Sequence, residues 1–290
     1  MEIPEAAVSP QSWRLIERSI DLSRRPCIMG ILNVNPDSFS DGGRYIDLGL
    51  AEECAFRMVE EGADIIDIGG ESTRPNVMPV DADEEMRRVL PVVERLAGRI
   101  PVPISVDTYK AVVARATIRA GAEIVNDISG LTFDQDMAAT VAEAGAGLVV
   151  MHTRGRPDIM QKDTCYGNIV AEVMDFLRCS VSTATAAGIA KERIVVDPGI
   201  GFAKSVQGNL EILRRLRDFS SLELPVLVGT SRKSFIGTVL GRDVDQRLFG
   251  TAATVALAVA CGATIIRVHD VREMRDVADM AHSVLHPGFY

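Results

Sequence analysis

From Pro26 onward, short apolar runs rich in Val and Ile alternate with longer stretches in which apolar residues recur every three or four positions. This happens about eight times. The short runs read as strands buried on both faces, the longer ones as amphipathic helices. Strands are predicted over 27–32, 64–68, 102–106, 123–126, 147–151, 194–196, 225–229 and 264–268. Helices are predicted over 50–61, 83–97, 110–120, 135–144, 168–187, 208–218 and 247–260, with a last one over 271–285. Five helices run into a glycine before the next strand, at Gly62, Gly121, Gly145, Gly188 and Gly262, the stop that a helix-to-strand turn favours.

Such alternation with apolar strands implies a parallel sheet covered by helices. Eight repeats close naturally into an α/β (β/α)8 TIM barrel of about 250 residues, here residues 26–290 as a single domain. A doubly wound open sheet is the competitor. Against it, the first strand has no G-x-G-x-x-G turn, and no strand leads into a phosphate-binding loop. Residues 1–25 form a weakly patterned N-terminal extension, in which 13–22 are expected as a strand or hairpin covering one end.

Composition narrows the function classes. With 290 residues, 47% of them hydrophobic, the chain can bury a large core without staples. Lys plus Arg number 31 against 40 Asp plus Glu. The net charge of −9 argues against nucleic-acid or anionic-membrane partners but allows a small basic pocket. Five cysteines without a C-x-x-C pair fit reduced thiols in a cytoplasmic protein. The acidic N-terminus has no signal-peptide pattern. The charge-free stretch 248–266, interrupted by Thr251, Thr254 and Gly262, reads as a buried helix running into a strand rather than a membrane span.

The placement of polar residues changes the picture most. The strand over 194–196 ends on Asp197, and Pro198 and Gly199 then force a turn, so a carboxylate stands at the rim of a buried strand. Two earlier strands do the same with Asp107 and with Asn126 and Asp127. The first strand runs into Asn33 and the loop 34–47, the second into 69–75, and the fifth into Met151 and His152. The seventh runs into 229–234 (GTSRKS), the eighth into Arg267 and His269. In a barrel these ends share one mouth, where chemistry is built in this fold. The helix-to-strand turns carry no comparable set, and that asymmetry points to an enzyme.

Asp107, Asn126 and Asp197 offer acceptors plus one amide that can also donate, a set that suits a flat heterocycle with a row of N–H donors. Arg74, Lys233, Arg267 and His269 suit a phosphate or carboxylate. Asn33, near Asp37 and Asp41, suits a hard cation such as Mg2+. Taken singly, each Asp reads equally well as a turn or helix cap, His152 and His269 as structural, Arg232 as salt-bridged and Met151 as packing.

Together, the runs 29–43 (MGILNVNPDSFSDGG), 67–75 (DIGGESTRP), 105–110 (SVDTYK), 126–130 (NDISG), 197–204 (DPGIGFAK), 231–237 (SRKSFIG) and 267–270 (RVHD) resemble the dihydropteroate synthases, with similarity over roughly 26–285. The resemblance implies a homodimeric transferase of folate biosynthesis. Such an enzyme joins two small-molecule substrates, 6-hydroxymethyl-7,8-dihydropterin diphosphate and p-aminobenzoate, giving 7,8-dihydropteroate and pyrophosphate. It implies that Asp107, Asn126, Asp197 and Lys233 hold the pterin, with Met151 and Phe202 against its ring. Asn33, Arg267 and His269 would hold the diphosphate, Asn33 together with Mg2+. Phe39, Thr73, Arg74, Pro75 and Ser231 would form the p-aminobenzoate site, and Asp41, Lys233, Arg267 and His269 the catalytic group. Diphosphate departure is expected first, leaving a methylene cation that the arylamine attacks. The chain departs from the family pattern at Asn35 (usually Thr), Asn76 (commonly Gly), Ile200 (Phe) and Ala203 (Gly). The alternatives are a methyltetrahydrofolate–corrinoid methyltransferase, whose D-x-H-x-x-G corrinoid motif is missing, and a silent pterin-binding paralogue.

Overall fold

The computed structural model describes residues 12–34, 47–72 and 77–288. Expectations for Asn35, Asp37, Phe39, Asp41, Thr73, Arg74, Pro75 and Asn76 lie outside the described residues. A short antiparallel hairpin, β1 (Ser12–Arg14) and β2 (Ser19–Asp21), precedes eight parallel strands. These are β3 (Cys27–Asn33), β4 (Ile65–Gly69), β5 (Ile104–Asp107), β6 (Ile124–Asp127), β7 (Gly147–Met151), β8 (Ile194–Asp197), β9 (Leu227–Val228) and β10 (Ile265–Val268). Their order is β8-β7-β6-β5-β4-β3-β10-β9. A parallel bridge between Val196 and Val226 joins the outer two, which makes the sheet the expected barrel.

The helices that cover it are α1 (Leu48–Glu60), α2 (Ala82–Leu96), α3 (Ala111–Arg119), α4 (Met137–Ala144), α5 (Ile169–Ala186), α6 (Val206–Arg214), α7 (Ser234–Leu240), α8 (Leu248–Ala260) and α9 (Val271–Leu285). Among the described residues no helix is long and apolar enough to cross a membrane. The sequence pattern misses α7, whose seven residues span only two turns and include Gly237. It also overextends α6, which gives way to a 3-10 segment at Leu216–Leu222. The seventh strand is shorter than expected because Pro225 has no N–H for the ladder; its carbonyl instead accepts from Val196 N at 3.0 Å.

Several strands extend one residue beyond the expected end, taking in Asn33, Gly69, Asp107, Asp127 and Asp197. Those residues therefore obey the two-residue alternation of a strand, which fixes the face that each presents. Outward positions such as Ile28, Ile66, Val106, Val125, Val150 and Val196 pack beneath the helices. Inward positions Cys27, Met29, Ile65, Ile124, Val149, Val195, Leu227 and Ile265 form a separate apolar cluster with Trp13, Leu15 and Leu22. The hairpin thus plugs the lower end of the barrel. Trp13 is fully buried, its indole N–H donates to Arg193 O at 2.9 Å, and Gly147 leaves the space into which Leu15 fits.

Candidate active site

Two residues above the apolar layer, the same inward face turns polar. In the ladder Asp67 pairs with Ser105, Gly69 with Asp107, Asp107 with Asn126, and Met151 with Asp197. Arg267 on β10 reaches across the lumen, its Nε donating to Asp67 Oδ2 at 2.6 Å and its Nη2 to Asp107 Oδ2 at 2.7 Å. Asn126 Nδ2 donates to the same Asp67 oxygen at 3.1 Å. The structure therefore brings Asp107, Asn126 and Arg267 into one bonded cluster. Asp67 stands at its centre, although sequence reasoning gave it no role. Its signal was a charge two residues after inward Ile65 in the run IIDIG.

Asp197 and Lys233 flank this cluster. Asp197 Oδ1 accepts Gly199 N–H at 2.7 Å, so it does cap its turn, and Oδ2 is left for another donor. Burial raises the Asp197 carboxyl to about 6, against the opposing pull of Gly199 N–H and Lys233. Burial likewise raises Asp107, opposed by Arg267. Lys233 Nζ lies 4.2 Å from the centre of the Phe202 ring. Its pKa falls to about 8 through burial and the Arg267 charge, with Asp197 and Asp107 opposing. At neutral pH the mouth therefore holds a cation and carboxylates that titrate close to the working range.

Met151 and Phe202 meet in a small apolar cluster with Tyr109, Ile128, Met160 and Ala203, which walls one side of the mouth. The loop carrying Phe202 is fixed along its backbone. Gln161 Nε2 donates to Gly201 O at 3.0 Å, Lys204 Nζ to Phe202 O at 2.9 Å, and the Tyr166 hydroxyl to Ala203 O at 2.9 Å. Lys204, itself buried, also donates to His152 Nδ1 at 2.8 Å. His152 is consequently a neutral acceptor, its pKa lowered to about 2 by burial and then by the Lys204 charge. Gly199, at φ +70°, is required here because a Cβ would sit 2.0 Å from His152 O. His152 is structural, as its single-residue reading suggested, and so is Asp127, whose carboxylate accepts from Ser129 N and Leu131 N. Arg232 pairs with Asp270, as an ordinary salt bridge.

His269 follows β10, and its Nδ1 lies 2.9 Å from Ser231 Oγ. Ser231 Oγ also accepts His269 N–H at 3.2 Å, so its hydroxyl proton is free to point at Nδ1 and leave the ring proton on Nε2. Burial and the Arg267 charge lower His269 to about 3, keeping it neutral. Ser231 thus stands with His269. Asn33 Oδ1 and Asp107 Oδ2 border one space over Gly69, 3.7 and 3.8 Å from where a Cβ on that glycine would be. Among the described residues no group of three or more His, Cys, Asp or Glu gathers to hold a metal. Among the described residues, a cation at this mouth could take Asn33 Oδ1 as a protein oxygen, with water and substrate oxygens beside it. That donor set suits Mg2+, which keeps waters and leans on phosphates.

Comparison with known proteins bears on what such a mouth binds. Residues 29–269 match the family described as pterin binding enzyme. The chain is 46% identical over 265 residues to dihydropteroate synthase of Synechocystis sp., covering 91% of this chain and 92% of the relative. Its fold matches dihydropteroate synthase from Clostridium difficile, solved in the presence of pteroic acid, with a TM-score of 0.86 and 46% identity over 91% of this chain and 97% of the other. It also matches the Xanthomonas albilineans enzyme solved with 4-aminobenzoic acid, with a TM-score of 0.89 and 41% identity over 96% and 99% of the two chains. With a polar ring of this composition and likeness along nearly its whole length, the chain belongs to the dihydropteroate synthase family of pterin-binding enzymes.

Proposed function

We propose that this chain is a transferase that condenses 6-hydroxymethyl-7,8-dihydropterin diphosphate with p-aminobenzoate, releasing pyrophosphate and forming 7,8-dihydropteroate. The observation that carries this reading is the single cluster of Asp107, Asn126 and Arg267, with Asp197 and Lys233 beside it, over an apolar floor. Asp107, Asn126 and Asp197 accept the ring N–H donors, while Met151 and Phe202 cover a ring face. Lys233, held over Phe202, donates to a ring acceptor. Arg267 and neutral His269, through Nε2–H, donate to diphosphate oxygens. Mg2+, when bound at Asn33, would neutralise part of the diphosphate charge. The methylene C–O bond breaks, and pyrophosphate takes the bonding pair. The arylamine lone pair then forms the C–N bond, and its nitrogen loses a proton. Phe39, Thr73, Arg74 and Pro75, with Ser231, are assigned to p-aminobenzoate. Asp41 is assigned to stabilising the methylene cation.

The test is pyrophosphate release from the pterin diphosphate with and without p-aminobenzoate, with the product identified by mass spectrometry. Release coupled to dihydropteroate supports the synthase. Methyl transfer from methyltetrahydrofolate, or pterin binding without turnover, would install one of the alternatives. Activity that survives exhaustive chelation would remove Mg2+ from the scheme. We place the enzyme in the cytoplasm, where its free thiols stay reduced. We further propose a homodimer, supported by an apolar hollow between α8 and α9 lined by Ala256, Ala260, Met280 and Val284, among others. Met280→Asp should shift the sedimenting species from dimer to monomer.

A further inference from the structure

Asp67 is fully buried in the lumen, just below the mouth, and one of its oxygens does two tasks. Oδ2 accepts from both Asn126 Nδ2 and Arg267 Nε, at 3.1 and 2.6 Å. An ionised carboxylate only accepts, so it dictates which end of the Asn126 amide faces it. The NH2 must point at Asp67, and the amide oxygen is the end that remains for a ligand. Asn126 could in principle present either end; beside Asp67 its oxygen is fixed as the acceptor, and one of its two N–H donors is taken. Arg267 is constrained in the same way. Its Nε is held by β4 through Asp67 and its Nη2 by β5 through Asp107, so two strands fix the guanidinium plane and leave Nη1 unshared between them.

The other Asp67 oxygen, Oδ1, is buried without a hydrogen-bond partner among the described residues, as is Ser105 Oγ on the paired position of β5. An acceptor left dry and unpaired weakens a fold. Packing alone gives no reason for a carboxylate here, when the inward residue two positions below is Ile65.

We propose that Asp67 is a positioning residue for substrate recognition: it locks Asn126 as an acceptor for the donor edge of the heterocycle and aims Arg267 at the anionic group. It acts through those two side chains and touches no substrate. This rests on the synthase reading for the identity of the ligands, but its test does not require turnover.

In Asp67→Leu no acceptor faces either neighbour, which frees Asn126 to flip and Arg267 to swing; Asp67→Asn is the weaker probe, because its single amide oxygen could still accept from both. Affinity of Asp67→Leu for 6-hydroxymethylpterin, measured by calorimetry without diphosphate, should fall roughly 10-fold to 100-fold. Asn126→Asp alone sets two carboxylates face to face, whereas the double variant Asp67→Asn/Asn126→Asp exchanges the pair and keeps an acceptor in the mouth at position 126. Pterin affinity should then recover to within about threefold of wild type, a rescue that a merely structural role would not give. Binding of Asp67→Leu within twofold of wild type overturns the proposal, and so does failure of the exchange to rescue. If neither variant folds, selectively 15N-labelled wild type carries the test. The Asn126 N–H bonded to Asp67 should keep its strongly hydrogen-bonded shift when pterin binds; loss of that shift would mean that the amide has turned away from Asp67, contrary to the proposal. Failure of the synthase reading would appear separately, as wild type that binds pterin yet releases no pyrophosphate.

Discussion

The lower and upper halves of the barrel lumen use the same strands and the same inward face, yet one is dry packing and the other a charged ring. Ile65, Ile124 and Val195 stand in the lower layer against Trp13. Two residues further along the same strands come Asp67, Asn126 and Asp197. A two-residue step returns to the same face, so nothing in the backbone distinguishes the layers; side-chain choice alone does. Stability and recognition are thereby separated along the strand axis. Backbone strain follows the same division. Of the four non-glycine residues with positive φ among those described, Leu131, Ala203 and Arg232 follow β6, β8 and β9 at the upper rim, and only Glu223 lies elsewhere.

The largest effects come from a crossed pair of substitutions. Lys233→Ala should lower kcat/KM for the pterin diphosphate by about 10²–10³, the usual loss for one preorganised charge, with little change in urea stability. Trp13→Ala should do the reverse, lowering unfolding stability by about 3–5 kcal/mol while the pterin KM stays within about twofold. Urea titration and steady-state pyrophosphate release measure both. If folded Trp13→Ala loses pterin affinity more than about fivefold, the two layers are coupled and the division fails.

Intermediate effects come from protons. Asp197 titrates near 6, so pterin binding should weaken as pH falls below that value and the acceptor is lost. Lys233 titrates near 8, which gives a second decline above it. Stability runs the opposite way. The Asp197 pKa is raised from 3.8, so its contribution to folding is full below that value and is lost as pH rises through about 6. Acid thus favours the fold at this residue and disfavors the ligand, as expected of a group placed for recognition. Asp197→Asn should weaken pterin binding roughly 10-fold to 100-fold and shrink the acid limb in calorimetry to the part that belongs to Asp107. An acid limb unchanged in that variant would assign it to Asp107 instead.

The sequence makes the barrel legible because each strand is a short β-branched run and each helix has its own period. The hairpin plug was legible only as a cover, since Trp13 and Leu15 reveal no partner until Gly147 comes beneath them. At the mouth, strand ends show where Asp107, Asn126, Asp197 and Arg267 gather. Their bonds span β4, β5, β6 and β10, and such long-range pairing leaves no local signature. Asp67 was missed for this reason: one charge in IIDIG reads as part of a motif, and its parity matters only once the strand is known to begin at Ile65. Lys204 is a similar case: the run DPGIGFAK shows only its place at the end of a motif, and the structure buries it against His152 and Phe202 O.

The smallest expected effect tests whether strain at the upper rim is needed or only tolerated. Ala203 holds φ +50°, a conformation that costs a residue with a Cβ about 1–2 kcal/mol. Ala203→Gly removes that cost but gives up about 0.5–1 kcal/mol of chain entropy and about 0.8 kcal/mol of methyl burial. These terms nearly cancel, so the melting temperature should stay within about 2 °C of wild type by calorimetry. Pterin affinity should not change either. Phe202 O and Ala203 O remain held by Lys204 and Tyr166, and those bonds, rather than the methyl group, set where the Phe202 ring stands. A loss of affinity beyond about threefold would show that the strained alanine itself orders the loop, and that the upper rim gives up stability for shape at the backbone as well as in its side chains.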